Sequence, residues 1–507
     1  MKYVVTAAEM QSADYYTSDN LGLPSTVLME RAALAAADEI CSRFHTGKTP
    51  VRVCIVCGTG NNGGDGFALG RILNERGYFV HFFMAGDEEK ASKANELQRK
   101  ILSNLGLVVS TGQPVEEYDI IVDAIFGTGL RRNIEGVYME LIKSLNERKG
   151  FKIALDIPSG ICADSGRELG CAFRADLTVT FGFYKWGQLL YPGKSFCGEV
   201  VCRDIGITKK SFNGRSPMGR MPEKEDMALL PKRIPHSHKG TYKRAGIIAG
   251  SEKMGGAAVL CTAAAIKTGV GYVKVMSHFS NRDLILSRTP EALVHIYGDY
   301  TAHPTEMLRD CSAVAMGPGV GVSEETKGLL EAVFEKCRSN LILDADAINL
   351  LAKYPSLKEQ LKNYTSKIKE KGKRVILTPH KREFGRFCSI SPKESFEAEH
   401  KKALETAKEY DIVIVLKDAV TRIYTPEGTV YVNTTGNPGM STAGSGDVLT
   451  GIICGLAAQM EDPSLAAVLS VYIHGLCGDF AAKEGNPYSM TAMDMGEALK
   501  YVLKEEA

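Results

Sequence analysis

The sequence predicts an α/β protein made of two successive domains, each built on a mostly parallel sheet. Three observations lead there. Short apolar runs alternate with amphipathic stretches along nearly the whole chain. The runs are continuously apolar rather than alternating, the pattern of strands buried on both faces of a sheet flanked by helices. A basic, proline-bearing stretch with little apolar periodicity interrupts the alternation after residue 208, and 507 residues are more than one core normally serves.

Taken in order, the first half offers the strands VRVCIVC (51–57), YFVHFFMAG (78–86), YDIIVDAIFG (118–127), FKIALDIPSG (151–160) and ADLTVTFG (175–182), with helices predicted over Asp65–Gly77 and Lys90–Leu105. Residues 1–208 form the first predicted domain. Residues 209–225, KKSFNGRSPMGRMPEKE, read as a linker. From 226 to 507 the alternation resumes with RAGIIAG (244–250), GYVKVM (271–276), SAVAMGPG (312–319), NLILDADA (340–347), RVILTPH (374–380) and IVIVLKDA (412–419). TRIYTPEGTVYVN (421–433) reads as a hairpin, and the chain finishes in helices. No short repeat is visible, which argues against a solenoid.

Composition excludes several classes. A net charge of +1 with no long basic run gives no electrostatic basis for nucleic-acid binding. With 44% hydrophobic and 24% charged residues the chain is ordinary globular material, not a disordered one. The longest uninterrupted apolar-looking stretch, Val448 to Met460, falls short of a membrane span, and Glu9 comes before any signal-peptide core. A cytoplasmic protein with no membrane partner is the expectation. Thirteen cysteines scattered on apolar runs suit a reducing compartment. Cys54 and Cys57 form a CxxC, but on a strand residues i and i+3 face opposite ways, so they read as two small core residues.

In parallel sheets ligands bind outside the carboxyl ends of the strands, and the chemistry-bearing residues of the first half all fall there. GTGNNGGDG (58–66) follows a strand and opens a helix; Gly58, Gly60 and Gly63 satisfy GxGxxG, a pattern that lets backbone N–H groups approach a phosphate. Alone it also fits a tight glycine turn, and Asp87 at the next strand end fits the ribose-binding acid of a dinucleotide fold. Two asparagines and an aspartate at this strand end are, in addition, oxygen donors suited to a hard cation. Asp123 precedes a second glycine loop, Gly127 to Asn133, and Asp156 precedes Pro158 and Ser159. Three adjacent strand ends thus bring Asn62, Asp65, Asp123, Asp156 and Ser159 toward one cleft. Lys185, in the loop FYKWGQLLYPG, fits either a phosphate contact or a solvated lysine.

GxGNNGGDG, DAIFGTGL and LDIPSG together resemble the NAD(P)H-hydrate epimerase domain of bifunctional NAD(P)H-hydrate repair enzymes, over residues 1–205. The resemblance implies a Rossmann-like domain with K+ on Asn62, Asp123 and Ser159. It implies substrate contacts from Asn61, Asn62, Gly63, Gly64 and Asp65, from Gly127, Thr128, Gly129, Leu130, Arg131, Arg132 and Asn133, and from Asp156. The implied reaction interconverts the R and S hydrates at C6 of the nicotinamide ring. Asp156 is the candidate proton-transfer carboxylate, since a carboxylate beside a cationic ring intermediate both stabilises it and moves a proton.

In the second half, NTTGNPGMSTAGSGDVLTGIICG (433–455) crowds small residues ahead of an apolar helix that begins at Asp447. Consecutive free N–H groups at a helix start form an anion hole for transferring phosphoryl oxygens. A carboxylate there is expected to keep a low pKa through the helix dipole and to accept a hydroxyl proton as the alcohol attacks phosphorus. The segment is similar to the ribokinase-like fold. HKGTYKRAGIIAGS (238–251), MGGAA (254–258), AMGPGVG (315–321), LDADAINLL (343–351), TPHKREF (378–384) and LKDAVT (416–421) resemble the ADP-dependent NAD(P)H-hydrate dehydratase domain over roughly 226–503. That resemblance places the hydrate on Ala257, Gly319, His380 and Asp447, and the nucleotide on Lys417, Asp418, Ala419, Val420, Thr421 and Gly446. It implies Mg2+ with ADP as phosphoryl donor, phosphorylation at C6 followed by phosphate elimination, NADH and NADPH hydrates as substrates, and a homo-oligomer.

His380 also fits a purely structural hydrogen-bonder. Asp344 and Asp346 fit helix caps, with Asp346 alternatively organising magnesium or water. Two other readings remain open at the level of sequence. One is a nicotinamide dehydrogenase fused to a ribokinase-like vitamin or sugar kinase, against which NNGGDG, the paired strand-end aspartates, GPGVG and TPHKREF all count. The other is an amino-terminal half without catalysis that serves partner contacts.

Overall fold

A computed structural model describes residues 1–45, 47, 50–297 and 304–504. The carboxyl end of the second predicted domain, 505–507, lies outside the described residues. The chain divides between Gly219 and Arg220 into two compact units, residues 2–219 and residues 220–507 with Met1.

The first unit contains strands β1 (Lys2–Val5), β2 (Arg52–Cys57), β3 (Phe79–Met84), β4 (Val109–Thr111), β5 (Ile120–Ala124), β6 (Phe151–Leu155), β7 (Leu177–Phe181), β8 (Tyr184–Lys185) and β9 (Glu199–Arg203). Seven of them form a parallel sheet in the order β4-β3-β2-β5-β6-β7-β9. The order runs outward from β2 in both directions, so the topological switch point lies between β2 and β5, where such folds bind ligands. All five strands expected from the apolar runs are present. The register Val56↔Asp123↔Ala154 sets Asp123 near the carboxyl end of β5. β1 and β8 pair separately in parallel, with Val5 opposite Lys185.

The first helix after β2 spans Asn61–Glu75, starting four residues before the expected Asp65. Gly-Gly reads locally as loop, but packing decides otherwise. A Cβ on Gly66 would lie 2.6 Å from the Ala124 Cβ, and one on Gly70 would lie 2.1 Å from the Phe82 ring. The helix sits on the sheet because these positions have no side chain, and that close approach outweighs the roughly 1 kcal/mol helix penalty of each glycine. Cys54 and Cys57 are both buried, on opposite sides of β2 and in separate apolar clusters, as the strand pattern predicts. All thirteen cysteines are free thiols.

Residues 209–225 are not bare coil. Lys209–Phe212 form a 3-10 turn whose Ser211 accepts the Thr17 hydroxyl at 2.7 Å, and the Phe212 ring packs 5.1 Å from that of Phe183. This part of the stretch is integral to the first unit. The short strand β10 (Gly219–Met221) spans the division itself.

In the second unit the strands are β11 (Arg244–Ile248), β12 (Tyr272–His278), β13 (Leu293–Tyr297), β14 (Ala313–Met316), β15 (Asn340–Leu343), β16 (Val375–Leu377), β17 (Ile412–Leu416), β18 (Arg422–Tyr424) and β19 (Val430–Val432). They lie in the order β13-β12-β11-β14-β15-β16-β17-β18-β19. Pairing is parallel as far as β17 and antiparallel through the expected hairpin β18–β19. Helices Gly255–Lys267 and Ser445–Gln459 cross closely: a Cβ on Gly451 would stand 2.2 Å from the Cys261 carbonyl oxygen.

The helix Pro463–Glu484, at 22 residues and a mean hydropathy of 1.5, is long and apolar enough by composition to cross a membrane. Most of this helix is buried in the core of the second unit.

Candidate functional site

The first site gathers at the carboxyl ends of β2, β5, β6 and β7. Asp123 is fully buried. Its Oδ1 accepts the Ser159 hydroxyl at 2.6 Å and the Ile125 N–H at 3.1 Å, and its Oδ2 accepts the Ser159 N–H at 2.7 Å. Burial nevertheless outweighs these three donors and pushes the carboxyl up to about 6. Asn62, also buried, is the unusual member. Among the described residues neither its amide oxygen nor its amide nitrogen has a hydrogen-bond partner. Gly127 lies against it: a Cβ there would be 3.4 Å from the Asn62 Cβ. An orphaned buried amide is costly and calls for a ligand. Asn62 and the Asp123–Ser159 pair are oxygen donors carrying one negative charge, a set that fits a monovalent cation.

Asp156 adopts a left-handed backbone, φ +62°, just past β6. Its carboxylate receives the Lys185 ammonium and, at 3.2 Å, the Thr180 hydroxyl, while its carbonyl accepts the Gln188 amide. Lys185 is therefore neither solvated nor available to a phosphate. It is wholly buried and satisfied by Asp156, by Thr180 Oγ1 at 2.8 Å and by the Phe181 carbonyl at 3.0 Å. Burial, and behind it the charges of Asp156 and Asp14, push the Asp65 carboxyl well above the ordinary carboxylate range. Burial and Asp156 likewise raise Asp14. Burial thus raises three carboxyls of this site, Asp123, Asp65 and Asp14, while Asp156 is paired with the buried Lys185 ammonium. Nothing in the local sequence around Asp14 or Asn95 marked them. Asn95, fully buried, clamps the glycine loop by donating to the Gly58 and Gly60 carbonyls at 2.8 and 3.2 Å.

The remaining residues of this half separate by exposure. Gly63 and Gly64 are buried, Thr128 and Leu130 are half-buried, and Asn61, Gly129, Arg131, Arg132 and Asn133 are exposed at the cleft rim. Arg131 is engaged by Asp164 at 2.8 Å. Asp87 is exposed and caps the turn Glu88–Lys90 through the Glu89 N–H.

The second site forms where the helix Ser445–Gln459 begins. Gly444 caps it in a left-handed conformation, φ +89°, and Asp447 stands in its first turn. The expectation that the helix dipole keeps Asp447 strongly acidic is overturned. Burial, then the charge of Asp344, pushes the carboxyl up to about 6, against the opposing pull of Lys417. Asp344 stands at the N-cap position of the helix Ala345–Lys353, but its side chain makes no capping bond there: its oxygens receive the Lys417 ammonium at 2.8 Å and the Thr450 hydroxyl at 2.7 Å. A Cβ on Gly446 would lie 3.4 Å from that ammonium, so Gly446, Lys417 and Asp344 adjoin. Asp346 accepts the Gly321 N–H at 2.9 Å and thereby pins the loop carrying Gly319.

Gly319, at φ +63°, meets Ala257: a Cβ on it would be 3.0 Å from that of Ala257. His380 caps the helix Lys381–Cys388. Its Nδ1 accepts the Arg382 and Glu383 N–H groups, both at 3.1 Å, and its Nε2 lies 3.2 Å from Glu383. The structural reading of His380 thus holds, and with the ring half-exposed its outer edge is still open to a ligand. It forms a parallel bridge to Lys417. Beyond Lys417, Asp418 and Ala419 are exposed, Asp418 pairs with Lys381 at 2.8 Å, Val420 is buried and Thr421 is half-buried.

Fold and sites together define an enzyme with two α/β catalytic units, the second of ribokinase-like build. Residues 245–501 match the family described as NAD(P)H-hydrate dehydratase, and residues 25–187 match that described as YjeF-related protein N-terminus. A bifunctional NAD(P)H-hydrate repair enzyme from Moorella thermoacetica is 34% identical over 99% of this chain and 97% of its own. One from Escherichia coli is 31% identical over 99% and 94%. An ADP/ATP-dependent NAD(P)H-hydrate dehydratase from Bacillus subtilis, co-crystallised with ATP and Mg2+, superposes with a TM-score of 0.50 at 33% identity, covering 56% of this chain and 98% of that one. The chain belongs to the family of bifunctional NAD(P)H-hydrate repair enzymes.

Proposed function

We propose that the first unit interconverts the R and S hydrates of NADH and NADPH at C6, and that the second converts the S hydrate back to NAD(P)H at the expense of ADP. The observation that carries this reading is Asp447. It is a partly shielded carboxyl with a pKa of about 6 at a helix start that no side chain caps, beside the Lys417–Asp344 pair. A base poised near neutrality takes the C6 hydroxyl proton as the oxygen attacks the terminal phosphorus of ADP. The N–H groups of Gly446 and its neighbours receive the phosphoryl oxygens. Lys417 faces the nucleotide phosphates from a position fixed by Asp344. The phosphate ester then eliminates, leaving NAD(P)H, AMP and phosphate. Ala257, Gly319 and His380 would line the hydrate's place, and Lys417, Asp418, Ala419, Val420 and Thr421 the nucleotide's.

Mg2+ is commonly held by one or two carboxylates plus substrate phosphates, and Asp346, at the start of the helix Ala345–Lys353, would supply one. When bound, the ion neutralises charge on the transferring group. In the first unit K+ would be held by Asn62, Asp123 and Ser159, ordering the glycine loop; the unpartnered amide of Asn62 supports that placement. Asp156, oriented by Lys185, Thr180 and Gln188, would exchange the proton at the ring. Asn61, Asn62, Gly63, Gly64 and Asp65, together with Gly127 through Asn133, would hold the rest of the substrate. A reducing, cytoplasmic setting and a homo-oligomer belong to the same reading, the first supported by thirteen free thiols.

Prepared R and S hydrates, mixed with the protein with and without ADP, test the proposal. Interconversion without ADP, and recovery of reduced-nicotinamide absorbance only with it, is the expected result. A stable phosphorylated product would mean a plain kinase.

A further inference from the structure

The loop from Asn433 to Gly444 leads from β19 into the helix start that carries Gly446 and Asp447. It has left-handed backbone at Gly436 (φ +101°) and Gly444 (φ +89°), and its own bonds are short-range ones, within Asn433–Thr435 and the turn Asn437–Met440, which do not fix it against the rest of the unit. Its anchors lie largely on one face of the helix Pro463–Glu484. The Thr435 hydroxyl reaches the Tyr472 carbonyl at 3.0 Å. The Asp479 carboxylate accepts the Gly436 N–H at 2.9 Å through one oxygen and the Asn437 side-chain amide at 3.1 Å through the other. His474, buried and with its pKa lowered by burial to about 4, places Nε2 3.5 Å from the Ser445 hydroxyl.

The same face is cut away to admit the loop. A Cβ on Gly475 would lie 2.0 Å from Thr435 Oγ1, and one on Gly478 would lie 2.4 Å from the Met440 sulfur. His474, Gly475, Gly478 and Asp479 recur at the spacing of adjacent helical turns, so a single surface seats the loop. No residue of that surface belongs to the proposed hydrate or nucleotide contacts.

We infer that Asp479 is a positioning residue for phosphoryl transfer: its two-pronged grip on Gly436 and Asn437 sets the turn that aims Gly446 and Asp447. This rests on the proposed dehydratase reading. Placement errors of about 1 Å remote from the chemistry cost up to about 10²-fold in rate. Three of the four proposed hydrate contacts, Ala257, Gly319 and His380, are on other elements, and the fourth, Asp447, acts on the reacting hydroxyl, so the loss falls mainly on kcat rather than on KM.

The test is a double-mutant cycle on the full chain with Asp479→Ala, Asn437→Ala and the pair, reading kcat and KM for ADP-dependent dehydration. Epimerase activity of the same samples is the internal standard. Asp479→Ala is expected to lower kcat about 10- to 100-fold, with KM for the hydrate changed less than threefold and epimerisation unaltered. The pair should cost less than the sum of the two single losses, because the Asn437–Asp479 bond is already lost in either one. Additive losses, an unchanged kcat, or a rise in KM alone overturns the assignment. Where Asp479→Ala does not fold, Asp479→Asn carries the same reading, since its amide nitrogen sets a donor against one of the two donors, Gly436 or Asn437, and breaks the two-pronged grip. A wild-type protein without dehydration would instead overturn the reading on which this inference rests.

Discussion

Ser159 engages both oxygens of Asp123, the hydroxyl at 2.6 Å and the backbone N–H at 2.7 Å, across 36 positions of sequence. The contact fastens the end of β5 to the loop after β6 and leaves the amide of Asn62 as the unsatisfied neighbour. Potassium is accordingly expected to raise epimerase activity, and Asp123→Ala to abolish that response, because neutral oxygens alone hold a monovalent ion weakly. Initial rates in potassium and in a bulky organic cation check this; a response that persists in Asp123→Ala counts against the assignment.

Asp447→Asn should remove ADP-dependent repair of the S hydrate by about 10²–10⁴-fold, the usual cost of losing a general base. R/S interconversion should be untouched, because that site lies in the other unit. Asparagine keeps the size and the helix-start preference, so a folded variant is expected. Near-normal dehydration by Asp447→Asn would move the base elsewhere.

The raised pKa of Asp447 has a pH consequence. A base must be ionised, so the dehydration rate should fall as pH drops through about 6. Burial is the main cause and Asp344 the next, so Asp344→Asn should move that midpoint to lower pH as Lys417 turns its charge toward Asp447. The sign for stability is opposite to that of a salt-bridged carboxylate. A carboxyl raised above its ordinary value of 3.8 favours the fold while protonated, and that contribution is gone once pH passes about 6. A midpoint that does not move in Asp344→Asn would separate the two carboxyls.

Gly63→Ala should destabilise the first unit by at least about 1–3 kcal/mol, since a Cβ there would stand 1.9 Å from the Gly58 carbonyl oxygen and backbone has to yield. Trp186, the single tryptophan, belongs to this unit and reports its melting by fluorescence. Dehydratase activity should remain. An unchanged fluorescence melt would show that the glycine loop has slack.

Cutting the chain between Gly219 and Arg220 should yield two soluble pieces, each with one activity, because each unit carries its own sheet and site. A cut at 208 instead removes Ser211 and Phe212 from the first unit, and that piece should melt at a lower temperature.

Strand ends were legible in the sequence because a sheet buried on both faces must be written in continuous apolar runs, and whatever polar residue follows stands at the cleft. Asn62, Asp123, Asp156 and Ser159 follow from that rule, and Asp447 from the small residues crowded ahead of its apolar helix. Three things were not legible, each for a non-local reason. Lys185 finds Asp156 only because β8, two residues long, pairs with β1 from the start of the chain. The pKa of Asp447 is raised first by burial under the rest of the unit and then by Asp344, about a hundred residues earlier, and neither is visible in the local sequence from which a helix-dipole argument starts. The helix beginning at Asn61 depends on glycines fitting Ala124 and Phe82, which lie on other strands.

Asp156 sits at φ +62°, where a residue with a side chain costs of order 1–3 kcal/mol, and it is also the partner of the buried Lys185. Glycine at 156 would relieve the backbone but leave an ammonium without its counter-charge, and a neutral residue at 185 would leave the strained aspartate without its support. Each single step is uphill, while the two together lead to a calmer and inert protein. The pair therefore behaves as one heritable unit. A laboratory lineage selected for heat resistance alone has a route to losing both residues at once, and passing activity selection at every round is what closes it.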